Sequence, residues 1–530
     1  MQCCKRLGRK PAVRLALLPA VRVRKRADRS ASWTAGVVGK LSNMTKGTWC
    51  AEGLPLRYPL EPDRSEMQAL ADAVLRRAID FVEQLPERPA SPAGVQPEEI
   101  RALQRRLLAP PAEEPTPLGD VLARMEEAAD TAVESAGPSY LAYTPGGGLF
   151  AAAVADLYAR ATNRYIGLSA VAPGMAALEY SVVRWLCDVA GFPAGAGGIL
   201  VSGGSTANFT ALVAAREQRL GEDIAAGALY MTREAHHSVG KAARLAGLPQ
   251  RSLRIVPASS ERRMDVQAAA RMIAADRAAG LRPFLLVGSA GTTNTGAIDP
   301  LSELADLAAR EGLWYHVDGA YGGLFCLTER GRERLRGIER ADSVTLDPHK
   351  GLFMPYGTGA LIVRELRTLR AAHAASGEYL QDLPDQEVPD FADLGPELTR
   401  EVRGLRVWLP LHLYGVAAFR AALDEKIDLA QHAYRRLAAE PLLDLPWEPQ
   451  LSIVALRVKA QDGERADALG RNVLERVNAG RRVFLSSTVV EGRFTLRLAI
   501  LAHRSHRDRV DEAVAAIIEA VRDASNSTAT

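Results

Sequence analysis

The sequence predicts an α/β protein in which a mostly parallel central sheet carries helices on both faces, followed by a smaller C-terminal α+β domain. From about Gly137, short apolar runs bounded by glycine or small polar residues alternate with stretches of helical periodicity. Continuous apolar runs of this kind indicate strands that are buried on both faces. The clearest runs are Gly198–Val201, Ala228–Met231, Arg254–Val256, Phe284–Gly288, Leu313–Val317, Ser343–Leu346 and Gly359–Val363.

The flanking segments differ from this central pattern. Helical periodicity before it predicts helices over Ser65–Leu85, Glu98–Leu108 and Leu118–Ala136. After about Leu411 a long helix precedes two strand-like runs and a final helix, which are Ser452–Val458, Phe494–Leu501 and Arg509–Val521. We therefore divide the chain into a basic extension (1–50), an N-terminal helical layer (51–136), a large domain (137–410) and a small C-terminal domain (411–530).

Composition narrows the class of protein. The chain has 530 residues, of which 47% are hydrophobic and 24% charged, and this is ordinary globular composition. The net charge is +3, yet residues 1–50 alone carry 12 Lys or Arg and one acid, so the rest is mildly acidic. An acidic body argues against nucleic acid as a partner, because phosphate neutralisation requires clustered basic residues. No apolar stretch approaches the ~20 residues that span a bilayer, which argues against a membrane protein.

The cysteines and the basic extension bear on location. The five cysteines show neither a disulfide framework nor metal-ligand spacing beyond an adjacent pair in the extension, so we expect a reducing, cytoplasmic setting and no metal site. The extension is interpreted as a disordered segment, with Met44 as a candidate start of translation. An Arg-rich transit peptide over Ala12–Arg26 stays open as the alternative.

A lysine and a carboxylate stand just after two of the predicted strands. Lys350 follows Ser343–Leu346 in a proline-broken turn beside His349. Lysine forms a Schiff base when its surroundings lower its pKa, although a solvated loop lysine fits this place too. Asp318 ends the apolar run Leu313–Val317, where a buried carboxylate is costly unless it is paired. A pyridine nitrogen is such a partner, which favours a cofactor over a helix N-cap role for Asp318.

Two further strand ends offer a phosphate site and an imidazole. The run Gly203-Gly-Ser-Thr-Ala-Asn208 opens a helix, and backbone N–H groups and hydroxyls at a helix N-terminus bind phosphate, although its Gly-Ser-Thr turn is also an ordinary capping sequence. His236 and His237 follow Ala228–Met231, and we expect one of them to stack on a flat ring. A Schiff-base lysine, a pyridinium partner, a phosphate cradle and a stacking imidazole together predict pyridoxal 5'-phosphate (PLP) as the cofactor.

Several motifs resemble those of the group II PLP-dependent decarboxylases, a family that includes aromatic-L-amino-acid, histidine, glutamate and diaminobutyrate decarboxylases. They are Asp347-Pro-His-Lys350, His236-x-Ser-Val, Gly291-Thr-Thr293 and His316-Val-Asp-Gly-Ala-Tyr321. The resemblance extends from about Leu54 to Val521. It implies a type I aminotransferase fold, PLP as the cofactor, and a homodimer whose active sites lie at the subunit interface, with the helical layer packing between subunits.

The resemblance also implies roles for individual residues. Lys350 would carry the cofactor as a Schiff base, Asp318 would face the pyridine nitrogen, and His236 would stack on the ring. The remaining cofactor contacts would come from the phosphate-binding Ser205, Thr206 and Ser343, from Thr293 and Ala320 at the edges of the cofactor, and from His349 beside substrate or cofactor.

The reaction depends on what surrounds the cofactor. Tyr379 lies in a polar stretch that matches the place of a loop tyrosine in the resembled decarboxylases, where it protonates the substrate carbon after CO2 has left. We therefore predict decarboxylation of an L-amino acid to the amine. An aminotransferase stays open as an alternative, since Arg400, Arg403 and Arg406 are available to bind a second carboxylate, and so does a cofactor-binding homologue without catalysis.

The amino acid itself is less constrained by the sequence. The segment Ser139–Gly148 resembles the loop that lines the substrate pocket in the family, which assigns Tyr143, Thr144 and Pro145 to substrate binding. Aromatic-specific members carry bulky rings here, whereas this chain has three glycines, which are also compatible with a simple tight turn. Tyr143 or Tyr165 could still stack on an aromatic substrate. An aromatic amino acid is slightly favoured.

Overall fold

The computed structural model describes residues 58–92, 96–144, 146–374 and 387–526. The basic extension predicted for residues 1–50 lies outside them. The helices are α1 Arg64–Gln84, α2 Pro97–Leu107, α3 Leu118–Ala129, α4 Phe150–Thr162, α5 Pro173–Val189, α6 Gly204–Leu220, α7 His237–Leu245, α8 Val266–Ala278, α9 Leu301–Glu311, α10 Glu329–Arg334, α11 Pro348–Gly351, α12 Arg367–His373, α13 Gly404–Tyr414, α14 Val416–Ala438, α15 Gly463–Ala479 and α16 Arg507–Asn526.

The strands form two sheets. They are β1 Gly197–Val201, β2 Gly227–Thr232, β3 Leu253–Val256, β4 Arg282–Ser289, β5 Trp314–Gly319, β6 Ser343–Leu346, β7 Gly359–Val363, β8 Leu443–Asp444, β9 Ile453–Val458, β10 Ser486–Val490 and β11 Arg493–Ala499. The first sheet has the order β1-β7-β6-β5-β4-β2-β3, and only β7 runs against its neighbours. The second, β10-β11-β9-β8, is antiparallel throughout. The mostly parallel central sheet is thus confirmed.

Helices cover both faces of the large sheet, as its apolar strands require. Along β4, Leu286 belongs to one hydrophobic cluster while Leu285 and Val287 belong to another, because successive strand residues point to opposite faces. A third cluster lies between the second sheet and α14, α15 and α16. Residues 69–530 form one compact unit. The predicted domain boundaries near residues 136 and 410 stay predictions.

Two local predictions differ from the structure. The helix predicted over Leu118–Ala136 ends at Ala129, because Arg88 bonds to Asp130 at 2.6 Å and to Glu134 at 3.0 Å and draws the following residues into a turn. The predicted turn at Lys350 is the short helix α11, in which Pro348 takes the first position, where a missing N–H is harmless. Among the described residues, no helix is both long and apolar enough to cross a membrane.

Because β1, β6, β5, β4, β2 and β3 all run the same way, their carboxyl ends meet at one edge of the sheet. The loops at this edge connect β1 to α6, β2 to α7, and β6 to α11. Loops at such an edge commonly bind ligands in open α/β sheets. Three of the sequence motifs fall in these loops, and Asp318 lies at the same edge, near the end of β5. The fold thereby brings together residues that are far apart along the chain, such as Ser205 and Lys350.

Candidate active site

A cavity of about 460 Å³ opens at this edge of the sheet. Such a volume is within the range of small-molecule and cofactor sites. The sequence-predicted residues that line it are Tyr143, Thr144, Ser205, Thr206, His236, Thr293, Asp318, Ala320, His349 and Lys350. Pro145 and Tyr379 lie outside the described residues. No cluster of His, Cys, Asp and Glu suited to a metal ion occurs in the described part of the chain.

Lys350 is paired with a buried carboxylate. Its Nζ lies 2.9 Å from Asp347 Oδ2, and the Asp347 side chain is only 2% exposed. Asp347 Oδ1 has no hydrogen-bond partner in the structure, which is unusual for a buried carboxylate. Asp347 follows β6 and precedes Pro348, so the helix α11 places the lysine one turn from its counter-ion. The amine therefore stands in the cavity beside a group that can hold its proton.

His349 lies against the same carboxylate in a fixed orientation. Its Nδ1 lies 2.8 Å from the Thr358 carbonyl oxygen, which can only accept, so Nδ1 carries a proton. Nε2 is 3.5 Å from Asp347 Oδ2. Burial lowers the pKa of His349, which favours the neutral ring. The ring lines the cavity as a neutral group, with Nε2 on the side of Asp347.

Asp318 reaches the cavity from the end of β5. Its Oδ2 accepts from Asn208 Nδ2 at 2.9 Å, and its Oδ1 accepts from the Ala320 backbone N–H at 3.1 Å. The residue is 7% exposed. These two donors stabilise the ionised carboxylate in a buried position. A carboxylate held in this state can accept a hydrogen bond from a protonated pyridine nitrogen.

His236 is the N-cap of α7. Its Nδ1 lies 2.7 Å from Ser238 Oγ and accepts from the Ser238 backbone N–H at 3.3 Å. His237 packs against it, with ring centroids 4.1 Å apart. Burial is the largest influence on His236 and lowers its pKa. The capping contacts fix a neutral imidazole at the cavity wall, where a flat ring could stack on it, and of the two adjacent histidines only His236 lines the cavity.

The turn before α6 fits a phosphate group. Ser205 and Thr206 lie in the first turn of this 17-residue helix, where N–H groups point outward and the helix dipole favours an anion. A methyl group built on Gly204 would approach Ala320 Cβ to 3.0 Å, and one on Gly203 would approach His349 Cε1 to 3.3 Å. Any larger residue at these glycines would fill the cradle. The residues present therefore fit PLP: the first turn of α6 would hold the phosphate, and His236 would pack on the ring.

One predicted cofactor contact is wrong. Ser343 begins β6 and is fully buried, whereas the cavity lies beyond the carboxyl end of that strand. Its hydroxyl lies 2.8 Å from Trp314 Nε1 and 2.8 Å from His316 Nδ1, so both of its contacts are internal to the sheet. Ser343 supports the site from behind and does not hold the phosphate.

Tyr143 and Thr144, which are predicted to bind substrate, line what we call the substrate side of the cavity. Their loop, residues 136–144 and 146–148, is held by a turn of the C-terminal region. Arg504 donates to the carbonyl oxygens of Ala136, Gly147 and Gly148, and Ser505 Oγ donates to that of Pro138 at 2.7 Å. His503 Nδ1 lies 3.2 Å from the Gly146 carbonyl oxygen. We call residues 503–505 the loop clamp. All of these bonds to the loop are to backbone carbonyl oxygens.

The backbone of this loop also touches the lysine helix. A methyl group built on Gly146 would lie 2.0 Å from the His349 carbonyl oxygen, so the loop can approach α11 only without a side chain there. Tyr143 has a φ of 54°, an uncommon conformation for a tyrosine, and is 61% exposed at the rim of the cavity. Tyr165 does not line the cavity, and its hydroxyl donates to the Leu398 carbonyl at 3.1 Å.

The three arginines considered for an aminotransferase are engaged elsewhere. Arg400 pairs with Glu179, and both side chains are fully buried. Arg403 pairs with Glu397, and Arg406 pairs with Asp156 at 2.8 Å. None of the three lines the cavity. The three arginines are therefore not available to bind a second carboxylate of the substrate, which was the observation in favour of an aminotransferase.

Sequence reasoning missed the residues that support the site from behind. Asn208 lies inside the motif used to predict the phosphate cradle, yet no role was assigned to it. Its signal is a lone amide on a helix face otherwise made of Ala207, Ala211, Leu212 and Ala215. The loop clamp carried no comparable signal, because its bonds are to carbonyl oxygens that every sequence possesses.

Known proteins resemble the chain over most of its length. A family model described as the pyridoxal-dependent decarboxylase conserved domain matches residues 99–459. Aromatic-L-amino-acid decarboxylase of Bacillus atrophaeus is 35% identical over 374 residues, which cover 69% of this chain and 78% of the relative. L-2,4-diaminobutyrate decarboxylase of Rhizobium meliloti is 34% identical over 377 residues, 70% of this chain and 75% of the relative.

A solved structure extends the comparison to three dimensions. The crystal structure of Oryza sativa TDC with PLP and tryptamine superposes with a TM-score of 0.83 at 26% identity, covering 88% of this chain and 99% of that one. The predicted type I fold, the PLP cofactor and the enzyme class are thereby confirmed. The chain belongs to the pyridoxal-dependent decarboxylase family, and it is an amino-acid decarboxylase that uses PLP.

Proposed function

We propose that the substrate is an L-amino acid with an aromatic side chain, which the enzyme converts to the corresponding amine and CO2. The observation that carries this proposal is the charge of the cavity wall. Lys350 is the only cationic side chain among the described residues that line it. A substrate with an acidic side chain would bring a second carboxylate, which is costly to bury without a cation. Tyr143 at the rim offers a ring on which an aromatic side chain can stack.

Relatives support the same substrate class without deciding it. One is named aromatic-L-amino-acid decarboxylase, and the Oryza sativa structure contains tryptamine, an amine with an aromatic ring system. The diaminobutyrate decarboxylase has comparable identity and acts, by its name, on a cationic side chain. A cationic side chain would meet Lys350 in this cavity, although Asp347 already neutralises that charge. We therefore rank the aromatic substrate first.

The residues of the chain divide the work of the reaction. When bound, PLP supplies an electron sink for the electron pair left by the departing carboxylate. Asp318 would hold the proton on the ring nitrogen, His236 would pack on the ring, and the first turn of α6 would hold the phosphate. Lys350 would carry the cofactor, and Asp347 would accept the proton that the lysine Nζ gives up. His349, which lies beside the lysine, would be neutral and would add no further charge to the cavity.

Tyr379 completes the proposal as the proton donor to the substrate carbon. This assignment rests on the sequence resemblance alone. A positioned acid near that carbon directs the reaction to the amine. We expect Tyr379→Phe to lower amine formation while PLP binding is retained, as measured by product chromatography beside the cofactor spectrum. Undiminished amine formation by Tyr379→Phe would remove Tyr379 from the mechanism.

We also propose a homodimer in the cytoplasm. In the described chain α1 buries no side chain, and Met67, Leu70 and Val74 share one of its faces while remaining exposed. An amphipathic helix of this kind fits a second copy of the chain, and light scattering at twice the mass of the chain is the expected result.

The cytoplasmic location rests on the cysteine pattern, and imaging of a tagged full-length chain tests it.

The decisive experiment measures substrate and reaction together. The purified holoenzyme is incubated with a panel of aromatic, acidic, basic and aliphatic L-amino acids, and CO2 release and amine formation are recorded. We expect the highest kcat/KM with an aromatic amino acid and none with Lys350→Ala, which also loses the visible absorption band of bound PLP. A higher kcat/KM with glutamate or diaminobutyrate would overturn the proposed substrate while leaving the enzyme class intact.

A further inference from the structure

Asn208 lies one turn into α6, behind the cavity, and it contacts four side chains from three other elements. Its Nδ2 lies 2.9 Å from Asp318 Oδ2 and 2.9 Å from Ser238 Oγ. Its Oδ1 lies 2.6 Å from Thr345 Oγ1 and 3.0 Å from His316 Nε2. The residue is 2% exposed. Both N–H donors and both acceptor positions of the amide are thereby occupied.

The Asp318 end of a hydrogen-bond chain fixes the orientation of this amide. The chain begins at Trp314 Nε1, which donates to Ser343 Oγ at 2.8 Å. It continues from Ser343 Oγ to His316 Nδ1 at 2.8 Å, and from His316 Nε2 to Asn208 Oδ1 at 3.0 Å. At the other end, the Asp318 carboxylate can only accept. The amide nitrogen of Asn208 must therefore face Asp318.

A branch of the same chain reaches His236. The second N–H of Asn208 is donated to Ser238 Oγ, and the Ser238 hydroxyl then donates to His236 Nδ1 at 2.7 Å. The Ser238 backbone N–H also points at Nδ1, which requires an unprotonated nitrogen there. The proton of the His236 ring is consequently on Nε2. The Asn208 amide and the Ser238 backbone N–H thus favour the same tautomer of His236.

We infer that Asn208 is a positioning residue that orients both Asp318 and His236 for the cofactor. Asn208 Nδ2 on Oδ2 and the Ala320 backbone N–H on Oδ1 together hold the plane of the Asp318 carboxylate, whose remaining lone pairs can accept from the ring nitrogen. Through the Ser238 hydroxyl the same amide supports the orientation of the His236 ring, beside the bond from the Ser238 backbone N–H. The two groups that hold the pyridine ring, one at its nitrogen and one on its face, are therefore set together. This inference does not depend on which amino acid is the substrate.

The test replaces the two N–H donors while keeping the shape of the side chain. Asn208→Asp retains an oxygen toward Thr345 and His316 but sets a second carboxylate or carboxyl against Asp318. We expect the dissociation constant for PLP, measured by equilibrium dialysis against the cofactor-free protein, to rise about 10- to 100-fold, as for the loss of a hydrogen bond to a charged group. We also expect the ring ¹⁵N signals of His236 to move away from the Nε2–H pattern.

Thr210→Val is the matched control. Thr210 lies on the same helix, is fully buried, and its Oγ1 has no hydrogen-bond partner in the structure. This variant should bind PLP as the unmodified protein does and leave the His236 signals unchanged. If it weakens binding as much as Asn208→Asp, the effect belongs to general damage of α6 and the inference is overturned. Unchanged PLP affinity or unchanged His236 signals in Asn208→Asp overturns it as well.

Thermal unfolding of each variant shows whether it is folded. If Asn208→Asp does not fold, Thr345→Val decides the question, because Thr345 does not line the cavity and its hydroxyl donates to Asn208 Oδ1. A loosened amide should then weaken PLP binding about threefold, in line with the loss of one neutral hydrogen bond, and should broaden or shift the His236 signals. PLP binding and His236 signals like those of the unmodified protein would contradict the inference.

Discussion

The two sides of the cavity are held by different kinds of contact. On the cofactor side, Asp318 and His236 are fixed by hydrogen bonds from other side chains, which run through Asn208 into the sheet. On the substrate side, the loop clamp of residues 503–505 bonds almost wholly to backbone carbonyl oxygens. Side-chain partners must match in chemistry and shape, whereas carbonyl partners are present in every sequence. The cofactor side is therefore specified by residue identity, and the substrate side by loop position.

This difference teaches which substitutions each side tolerates. A change at Asn208, Ser238 or His316 breaks a specific donor–acceptor pair. A change at Tyr143 or Thr144 alters what the substrate meets while the carbonyl oxygens that hold the loop remain. One scaffold can thus keep its cofactor chemistry while its substrate preference changes. The predictions below test whether the cofactor side and the substrate side can be changed independently.

The largest effect is expected at Asp318. Asp318→Asn keeps the size of the side chain but removes the negative charge that would pair with the ring nitrogen. We expect kcat for CO2 release to fall about 100- to 1000-fold, the scale seen when a preorganised electrostatic contact is lost from an active site. The measurement uses saturating PLP, so that weaker binding does not mimic the effect. A kcat within about tenfold of the unmodified enzyme would contradict the assignment.

A smaller effect is expected from the loop clamp. Arg504→Ala leaves three carbonyl oxygens without their charged donor, so we expect the free energy of unfolding to fall by about 2 kcal/mol. The KM for the amino acid should rise by a larger factor than kcat falls, because the loop forms the substrate side. Urea titration and steady-state kinetics check both.

Arg482→Ala is the control for the loop clamp. Arg482 pairs with Glu512 at the surface, where its side chain is 55% exposed, so its loss should change the unfolding free energy by no more than about 0.5 kcal/mol. An Arg504→Ala enzyme that loses kcat at an unchanged KM would refute the separation of the two sides.

The smallest effect is expected at the rim. Tyr143→Ala removes a ring that is 61% exposed, so we expect little change in stability and about a threefold rise in KM for an aromatic amino acid, the scale of one aromatic contact. Tyr158→Ala is a matched control, since Tyr158 is also 61% exposed and does not line the cavity. Equal KM values for the two variants would show that Tyr143 does not contact substrate.

The sequence predicted the cofactor side well for a physical reason. Buried parallel strands are continuous apolar runs, so polar residues such as Asp318 and Lys350 stand out where each strand ends. The wrong assignment of Ser343 has a different cause, because it was taken from the resemblance, whereas Ser343 begins its strand and the cavity lies at the carboxyl end. Asn208 was missed because its partners are up to 137 positions away along the chain.

The substrate side was less predictable because it depends on long-range backbone contacts. Nothing in the run His503-Arg-Ser505 indicates that it will meet residues 136–148, which are about 360 positions earlier. The proposed preference for an aromatic substrate likewise depends on long-range contacts. It rests on the charge of the cavity wall, whose residues come together only in the folded protein.

The contact between Gly146 and His349 has a practical consequence for protein engineering. A methyl group at Gly146 would lie 2.0 Å from the His349 carbonyl oxygen, so even alanine must push the loop away from the lysine. Combinatorial libraries aimed at new substrates should therefore randomise Tyr143 and Thr144 and leave Gly146 unchanged.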